Sequence, residues 1–309
     1  MPGLDVRTVV IHDENGDYSP FIKKYIKRLN DMEKRDVSLY VVATPIGNLS
    51  DLSPRAVEVL KSVDFVAAED TRNSGILLKY FGIKKPLVSY HEHNVSKRGG
   101  EIVEKLLQGQ TCALVSDAGM PAVSDPGEVL VRQCHENGLR VSAIPGPCAV
   151  VTALAMSGIS TKRFCFEGFL STAYNSRMKH LNSLVDEKRT IVIYEAPHKL
   201  RGTLDDILLV LGDRKISLVR EISKKYEEVL LTTLSDAVAY YKENEPRGEF
   251  VLVIEGAPEK NDAEISEEDI RKAFADAVSE GMTKSAASAA VAKKFGLLRR
   301  DVYDMFKGE

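Results

Sequence analysis

Thr111-Cys112-Ala113-Leu114-Val115-Ser116-Asp117-Ala118-Gly119-Met120-Pro121-Ala122-Val123-Ser124-Asp125-Pro126-Gly127 is the stretch on which the reading of this chain turns. Its first part, Cys112 to Ser116, is a short apolar run that reads as a buried strand. Two glycines, two prolines and two aspartates then fill the gap before Glu128-Val129-Leu130-Val131-Arg132-Gln133-Cys134, whose apolar spacing is helical. Glycines let a backbone approach a ligand closely and prolines hold a loop still, so exposed amides and carbonyls can read a polar small molecule. Open α/β sheets bind ligands where a strand ends in such a loop. Asp-Pro-Gly is equally ordinary turn chemistry.

The same punctuation recurs through the first half. Leu39-Tyr40-Val41-Val42-Ala43 is an apolar strand running into Thr44-Pro45-Ile46-Gly47-Asn48-Leu49, and Ser53-Pro54 then opens a helix with an N-cap and a proline at its first position. Strands at 65–68, 87–90 and 140–144 end in Glu69-Asp70-Thr71-Arg72, His91-Glu92-His93-Asn94 and Pro145-Gly146-Pro147-Cys148-Ala149, each followed by a helical pattern. This alternation implies a mostly parallel sheet with helices on both faces. The polar or turn-rich residues after all five strands then share one edge, a continuous ligand-binding rim.

A second α/β domain begins near Lys162, with strands around 164–166, 189–194, 215–219, 228–232 and 249–255; the paired strands after Lys215 imply a partly antiparallel sheet. Beyond it, helices at about 266–280, 283–295 and 299–307 carry alanine-rich faces and a basic cluster of Lys293, Lys294, Arg299 and Arg300. They read as a small helix-turn-helix-like bundle or as a packing appendage with a solvated charged face. The expected divisions are a tail over 1–37, α/β domains over 38–160 and 161–260, and the bundle over 261–309. Met32 stands just before the first strand, so translation starting there is a further expectation.

The 309 residues carry 45 acidic and 42 basic side chains, a formal net charge of −3, which argues against coating nucleic acid by charge alone. No run approaches the roughly 20 apolar residues of a membrane span. Cys112, Cys134, Cys148 and Cys165 lack metal-ligand spacing and read as reduced residues of a cytoplasmic protein. Gly-x-Gly-x-x-Gly, the P-loop, the nucleophile elbow and zinc signatures are all missing.

What remains is a cleft of backbone groups with a few carboxylates, histidines and an arginine. On a continuing strand, His91 and His93 would project to opposite faces, a poor metal pair. Asp70 reads either as a helix N-cap or as a proton acceptor at the rim, and Arg72 as a phosphate contact.

Six ordered segments carry a resemblance: Val42 to Leu49, Ala68 to Arg72, His91 to Asn94, Ser116 to Gly119 with Asp125 to Gly127, Pro145 to Ala149, and Glu167-Gly168-Phe169-Leu170. Together they closely resemble the small-subunit rRNA methyltransferase branch of the tetrapyrrole methylase superfamily, over about residues 38–307. The resemblance implies a two-domain tetrapyrrole methylase-like fold and a homodimer, with S-adenosylmethionine held between the domains. It further implies 2′-O-methylation of a cytidine ribose in the decoding region of 16S rRNA in the 30S subunit.

Carried over by motif, the cofactor residues are Pro45, Ile46, Ser116, Asp117, Ala118, Val123, Cys148 and Ala149, with Glu195 and Ile222 closing from the second domain. Asp70 or His91 would assist proton removal and Arg72 would contact a flanking phosphate. Ala43 and Met120 depart from the family pattern, where proline and threonine are common. Two alternatives stay open: a corrinoid or porphyrin methyltransferase, and a non-catalytic RNA-binding protein that uses the cofactor as a ligand.

Overall fold

The computed structural model describes residues 37–258, 267–295 and 297–307. The expected N-terminal tail up to residue 36, the start at Met32 and the division near 261 lie outside the described residues.

The first half is a five-stranded sheet of β1 (Leu39–Val42), β2 (Phe65–Ala68), β3 (Leu87–Ser89), β4 (Cys112–Val115) and β5 (Val141–Ile144) in the order β3-β2-β4-β1-β5. Every pairing in it is parallel. Alternate side chains along the strands face opposite helical layers. Tyr40, Val42, Val66, Ala68, Ala113 and Val115 pack beneath α1 (Pro54–Ser62) and α2 (Thr71–Tyr80). Leu39, Phe65, Ala67, Cys112 and Leu114 pack beneath α3 (Val95–Leu107) and α4 (Gly127–Glu136). With both faces covered, the strands read as unbroken apolar runs. The expected caps form: Ser53 Oγ accepts Ala56 N–H at 3.1 Å, and Asp70 caps α2 by accepting Arg72 N–H at 2.8 Å.

The second sheet, β6 (Phe164–Phe169), β7 (Thr190–Glu195), β8 (Lys215–Arg220), β9 (Glu228–Thr233) and β10 (Phe250–Ile254), has the order β6-β7-β10-β8-β9. β6 and β7 run parallel, and the remaining pairs are antiparallel. One face meets α6 (Tyr174–Ser183), α7 (Pro197–Leu211) and α8 (Leu234–Glu243). Leu200, Leu204 and Ile207 are fully buried on one stripe of α7, each worth about 2 kcal/mol of transfer free energy.

The other face is covered by α5 (Ala149–Met156), the helix that follows β5. Its Val150, Ala153 and Leu154 lie against Val192, Val219, Val251 and Val253, with Ile46 and Cys148 packed on the same cluster. The last helix of the first βα series therefore belongs to the core of the second sheet and ties the halves together.

α9 (Glu267–Ser279), α10 (Lys284–Phe295) and α11 (Arg299–Met305) form the expected terminal bundle around their own core, where Phe274 and Phe306 stack with ring centroids 4.0 Å apart. Among the described residues, no helix is long and apolar enough to cross a membrane.

Candidate active site

β1 and β4 are neighbours, yet the chain leaves β1 toward the α1 face and β4 toward the α4 face. Loops that diverge in this way open a crevice at the carboxyl ends of the strands. A two-bond bridge sets its width: Thr44 N–H donates to Gly119 O at 2.9 Å and Gly119 N–H to Thr44 O at 3.1 Å. Thr44 Oγ1 adds a bond to Ser116 O at 3.2 Å.

The loop after β4 is held in an unusual shape. Ala122 and Ser124 have φ of 66° and 69°, a left-handed backbone that costs an L-residue about 1–2 kcal/mol. Asp125 Oδ1 offsets this by accepting the N–H groups of Ala122 at 2.9 Å and Gly127 at 2.7 Å. A Cβ at residue 127 would sit 2.9 Å from Ala122 N, so the closing position requires glycine.

Above this loop lies a cavity of about 480 Å³, walled on one side by the first half and on the other by the strand ends of the second sheet. Ile46, Ser116, Asp117, Ala118, Val123, Cys148 and Ala149 line it from below, and Glu195 and Ile222 from the second half. Pro45, the remaining expected cofactor residue, lies outside the lining. Glu195 is 3% exposed, and each of its oxygens accepts one local hydrogen bond. Its Oε1 accepts Ala196 N–H at 2.8 Å and its Oε2 accepts Thr203 Oγ1–H at 2.6 Å.

Asp70, Arg72 and His91 do not line the cavity. Arg72 grips the Asp70 carboxylate with Nε to Oδ1 at 3.0 Å and Nη2 to Oδ2 at 2.6 Å, which holds its pKa down to about 2. This turn supports the cavity from behind: Asp70 N–H and Asn73 Nδ2 donate to the two carboxylate oxygens of Asp117, at 3.2 and 3.0 Å.

The strand does not continue through the histidines, and it ends one residue short of the expected 87–90. β3 stops at Ser89, and a short 3-10 turn over Glu92–Asn94 follows, closed by Asn94 accepting His91 N–H at 3.0 Å and donating to Ser89 O at 3.2 Å. The two rings therefore meet edge-to-face, with centroids 5.9 Å apart, instead of projecting to opposite sides. The rim is likewise shorter than expected. The loops after β1, β2, β4 and β5 reach the cavity, and the loop after edge strand β3 does not.

Sequence reasoning passed over Glu69, Phe169, Tyr194, Glu249 and Val251, which also line the cavity. Burial, then the neighbouring Asp117 charge, push the Glu69 pKa above the ordinary carboxylate range. Phe169 is aimed inward by a register shift between Phe166 and Phe169, the usual effect of a bulge. Gly168, with φ of 64°, was the visible signal; a Cβ there would lie 3.1 Å from Ser124 Oγ, so the bulge approaches the β4 loop closely. Among the described residues, five carboxylates line the cavity, from Glu69, Asp117, Asp125, Glu195 and Glu249, and no lysine or arginine does. Beside the apolar surfaces of Ile46, Val123, Ile222 and Val251, that charge fits an apolar-faced ligand carrying positive charge.

The sheet order, the crevice between β1 and β4 and the two-sided cavity define a class. The chain belongs to the tetrapyrrole (corrin/porphyrin) methylases, whose family model matches residues 38–238. Within that class it is 49% identical over 268 residues to ribosomal RNA small subunit methyltransferase I of Synechocystis sp., covering 86% of this chain and 96% of that protein. The protein of the same name from Haemophilus influenzae is 45% identical over 269 residues, 86% of this chain and 94% of its own length. Among solved structures, the methyltransferase CobJ superposes with a TM-score of 0.55 at 17% identity, over 72% of this chain and 95% of that one. At that identity the match speaks for the fold alone.

Proposed function

We propose that this chain transfers a methyl group from S-adenosylmethionine to the ribose 2′-oxygen of a cytidine in the decoding region of 16S rRNA, acting on the 30S subunit as a cytoplasmic homodimer. The observation that carries the cofactor reading is the cavity lined, among the described residues, by carboxylates and by no lysine or arginine. Its charge complements a sulfonium and an ammonium group, and its apolar wall suits an adenine ring. The rRNA substrate is supported by the names of relatives that are 49% and 45% identical over nearly their whole length.

Ile46, Val123 and Ile222 would hold the apolar part of the cofactor. The backbone of Ser116 to Ala118 and the buried Glu195 carboxylate would hold its polar groups. The bound cofactor supplies an already activated methyl group. The chain's own work is to align the ribose oxygen behind it and to accept a proton from a weakly acidic hydroxyl.

Of the carboxylates near the crevice, Glu69 suits that second task better than Asp70. Glu69 lines the cavity and has a raised pKa, whereas Asp70 is committed to Arg72 and is the weaker base. Arg72 lies at the surface beside the cleft, available to a flanking phosphate through any donor not used on Asp70, and His91 remains a candidate second contact.

The test is methyl transfer from isotopically labelled S-adenosylmethionine to 30S subunits from cells lacking this gene, with the modified ribose mapped by its resistance to alkaline cleavage. Labelling of one decoding-region cytidine is expected. Cofactor binding with no labelling of subunits or free 16S rRNA would overturn the rRNA reading and turn attention to corrinoid and porphyrin rings, the substrates in the family's description.

A further inference from the structure

The second sheet has a far end, where β7 and β8 begin and β10 finishes, roughly 17 Å from the cleft for strands of five to six residues. A second cavity of about 670 Å³ opens there. Lys162, Arg163, Lys188, Arg214 and Lys215 line it, against Asp213 and Glu255. Asp213 is already occupied, accepting Ser235 N–H at 2.9 Å and Ser235 Oγ–H at 2.8 Å. The four cations other than Arg214 are exposed, and none is ion-paired among the described residues.

Arg214 is the unusual member. It is 8% exposed, with Nε donating to Leu211 O at 3.1 Å and Nη2 to Val185 O at 2.6 Å. Its Nη1 is buried with no hydrogen-bond partner among the described residues. A guanidinium stays charged even when buried, and a buried donor without an acceptor is a rarity in folded proteins. Four exposed cations and a buried guanidinium thus share the lining of one cavity against two carboxylates, and an oxyanion would offset that excess of positive charge.

The rest of the lining narrows the ligand. Among the described residues, Ala257 and Pro258 are its apolar members and no aromatic ring lines it, so those residues would neither stack on nor read a base; the lining reads charge. The basic cluster on the terminal bundle differs, because Arg299 is bonded to Ser285 at 2.6 Å and Arg300 lies 3.7 Å from Asp304, a solvated face.

We propose that this far-end pocket binds a backbone phosphate of the rRNA substrate, a second anchoring point about one sheet length from the methyl-transfer cleft. The proposal rests on the rRNA reading given above. It also answers how a chain of net charge −3 would hold a polyanion: a local cationic pocket anchors the backbone while the acidic cleft is kept for the cofactor.

The test replaces the exposed cations and leaves the buried one, using the full-length Arg163→Gln, Lys188→Gln, Lys215→Gln variant with unmethylated 30S subunits between 50 and 200 mM salt, about the range over which phosphate contacts dominate. The dissociation constant is expected to rise about tenfold, and the slope of log affinity against log salt to fall by about 0.8, the share of one phosphate contact. Cofactor affinity and the single-turnover rate at saturating subunits should match wild type. Wild-type affinity and slope in the variant, with the wild-type enzyme active, would overturn the pocket alone. A wild-type chain that neither binds nor methylates rRNA would end the reading beneath it as well.

Discussion

Thr44 and Gly119 exchange both of their backbone hydrogen bonds, at 2.9 and 3.1 Å, although they lie on loops from different strands. This isolated antiparallel bridge in an otherwise parallel half fixes the distance between the β1 and β4 loops, and with it the floor of the cleft.

Gly119→Ala should disturb that floor directly. Gly119 has φ of 84°, and a Cβ there would lie 3.4 Å from Ile46 Cγ2 and 3.7 Å from Pro147 O. The left-handed backbone costs alanine about 1–2 kcal/mol, while the contacts with Ile46 and Pro147 are of ordinary van der Waals length. Calorimetric titration should show S-adenosylmethionine affinity reduced about tenfold, the equivalent of 1.4 kcal/mol; unchanged affinity would separate the bridge from binding.

Gly47→Ala should act on the junction between the halves. A Cβ there would collide with Lys224 Cγ and approach Ile222 O to 2.9 Å. The lysine can swing aside, although its ammonium is held by Glu221 and Glu249 at 2.9 Å each; the backbone carbonyl cannot. Overpacking of this kind costs about 1–3 kcal/mol. Because Ile222 lines the cavity and the adjacent Ser223 hydroxyl bonds to Asp51 across the junction, weakened cofactor binding is expected along with a lower Tm.

Glu69→Gln and Asp70→Asn should separate in their pH behaviour. The folded-state pKa of Glu69 lies above its ordinary value, so turnover should rise with pH through and above the usual glutamate range. In Glu69→Gln that limb should vanish and turnover fall about 100-fold, with cofactor affinity retained. Asp70 is shifted the other way, from 3.8 to about 2. Its stabilising contribution is fully present above pH 3.8 and is lost as the pH falls through about 2. Asp70→Asn should therefore lower the Tm at neutral pH, and the difference from wild type should close in acid. A turnover limb surviving in Glu69→Gln would remove Glu69 as the proton acceptor.

Thr203→Val would keep the shape of α7 and delete the hydroxyl bonded to Glu195 Oε2 at 2.6 Å. With a carboxylate that is 3% exposed left short of a donor, the loss should be about 2 kcal/mol, visible in denaturant unfolding as a lower midpoint at unchanged slope. The same loss in Thr203→Ala would show that the hydroxyl, and not the packing, is responsible.

Much of the first half was legible because its signals are local. Ser53-Pro54 and Asp70 mark helix starts by capping, and the glycines and prolines after Ser116 mark a strand end. The residues the site takes from the second sheet carried no such mark. Tyr194 and Val251 sit in apolar runs that read as core, and which face reaches a cleft depends on the packing of α5, a long-range fact. The strand before His91 and His93 was legible, but the turn that carries them was not, because a single Asn94 side chain closes it. Nor does alternation reveal that β4 inserts between β2 and β1, the arrangement that opens the crevice.

The left-handed residues Ala122 and Ser124, pinned by Asp125, place the conformational work of recognition in folding instead of in binding. A ligand reaching this loop meets a surface whose shape is already set. Its association should consequently show the negative heat-capacity change of covering the apolar wall, without the larger entropy loss of ordering a mobile chain.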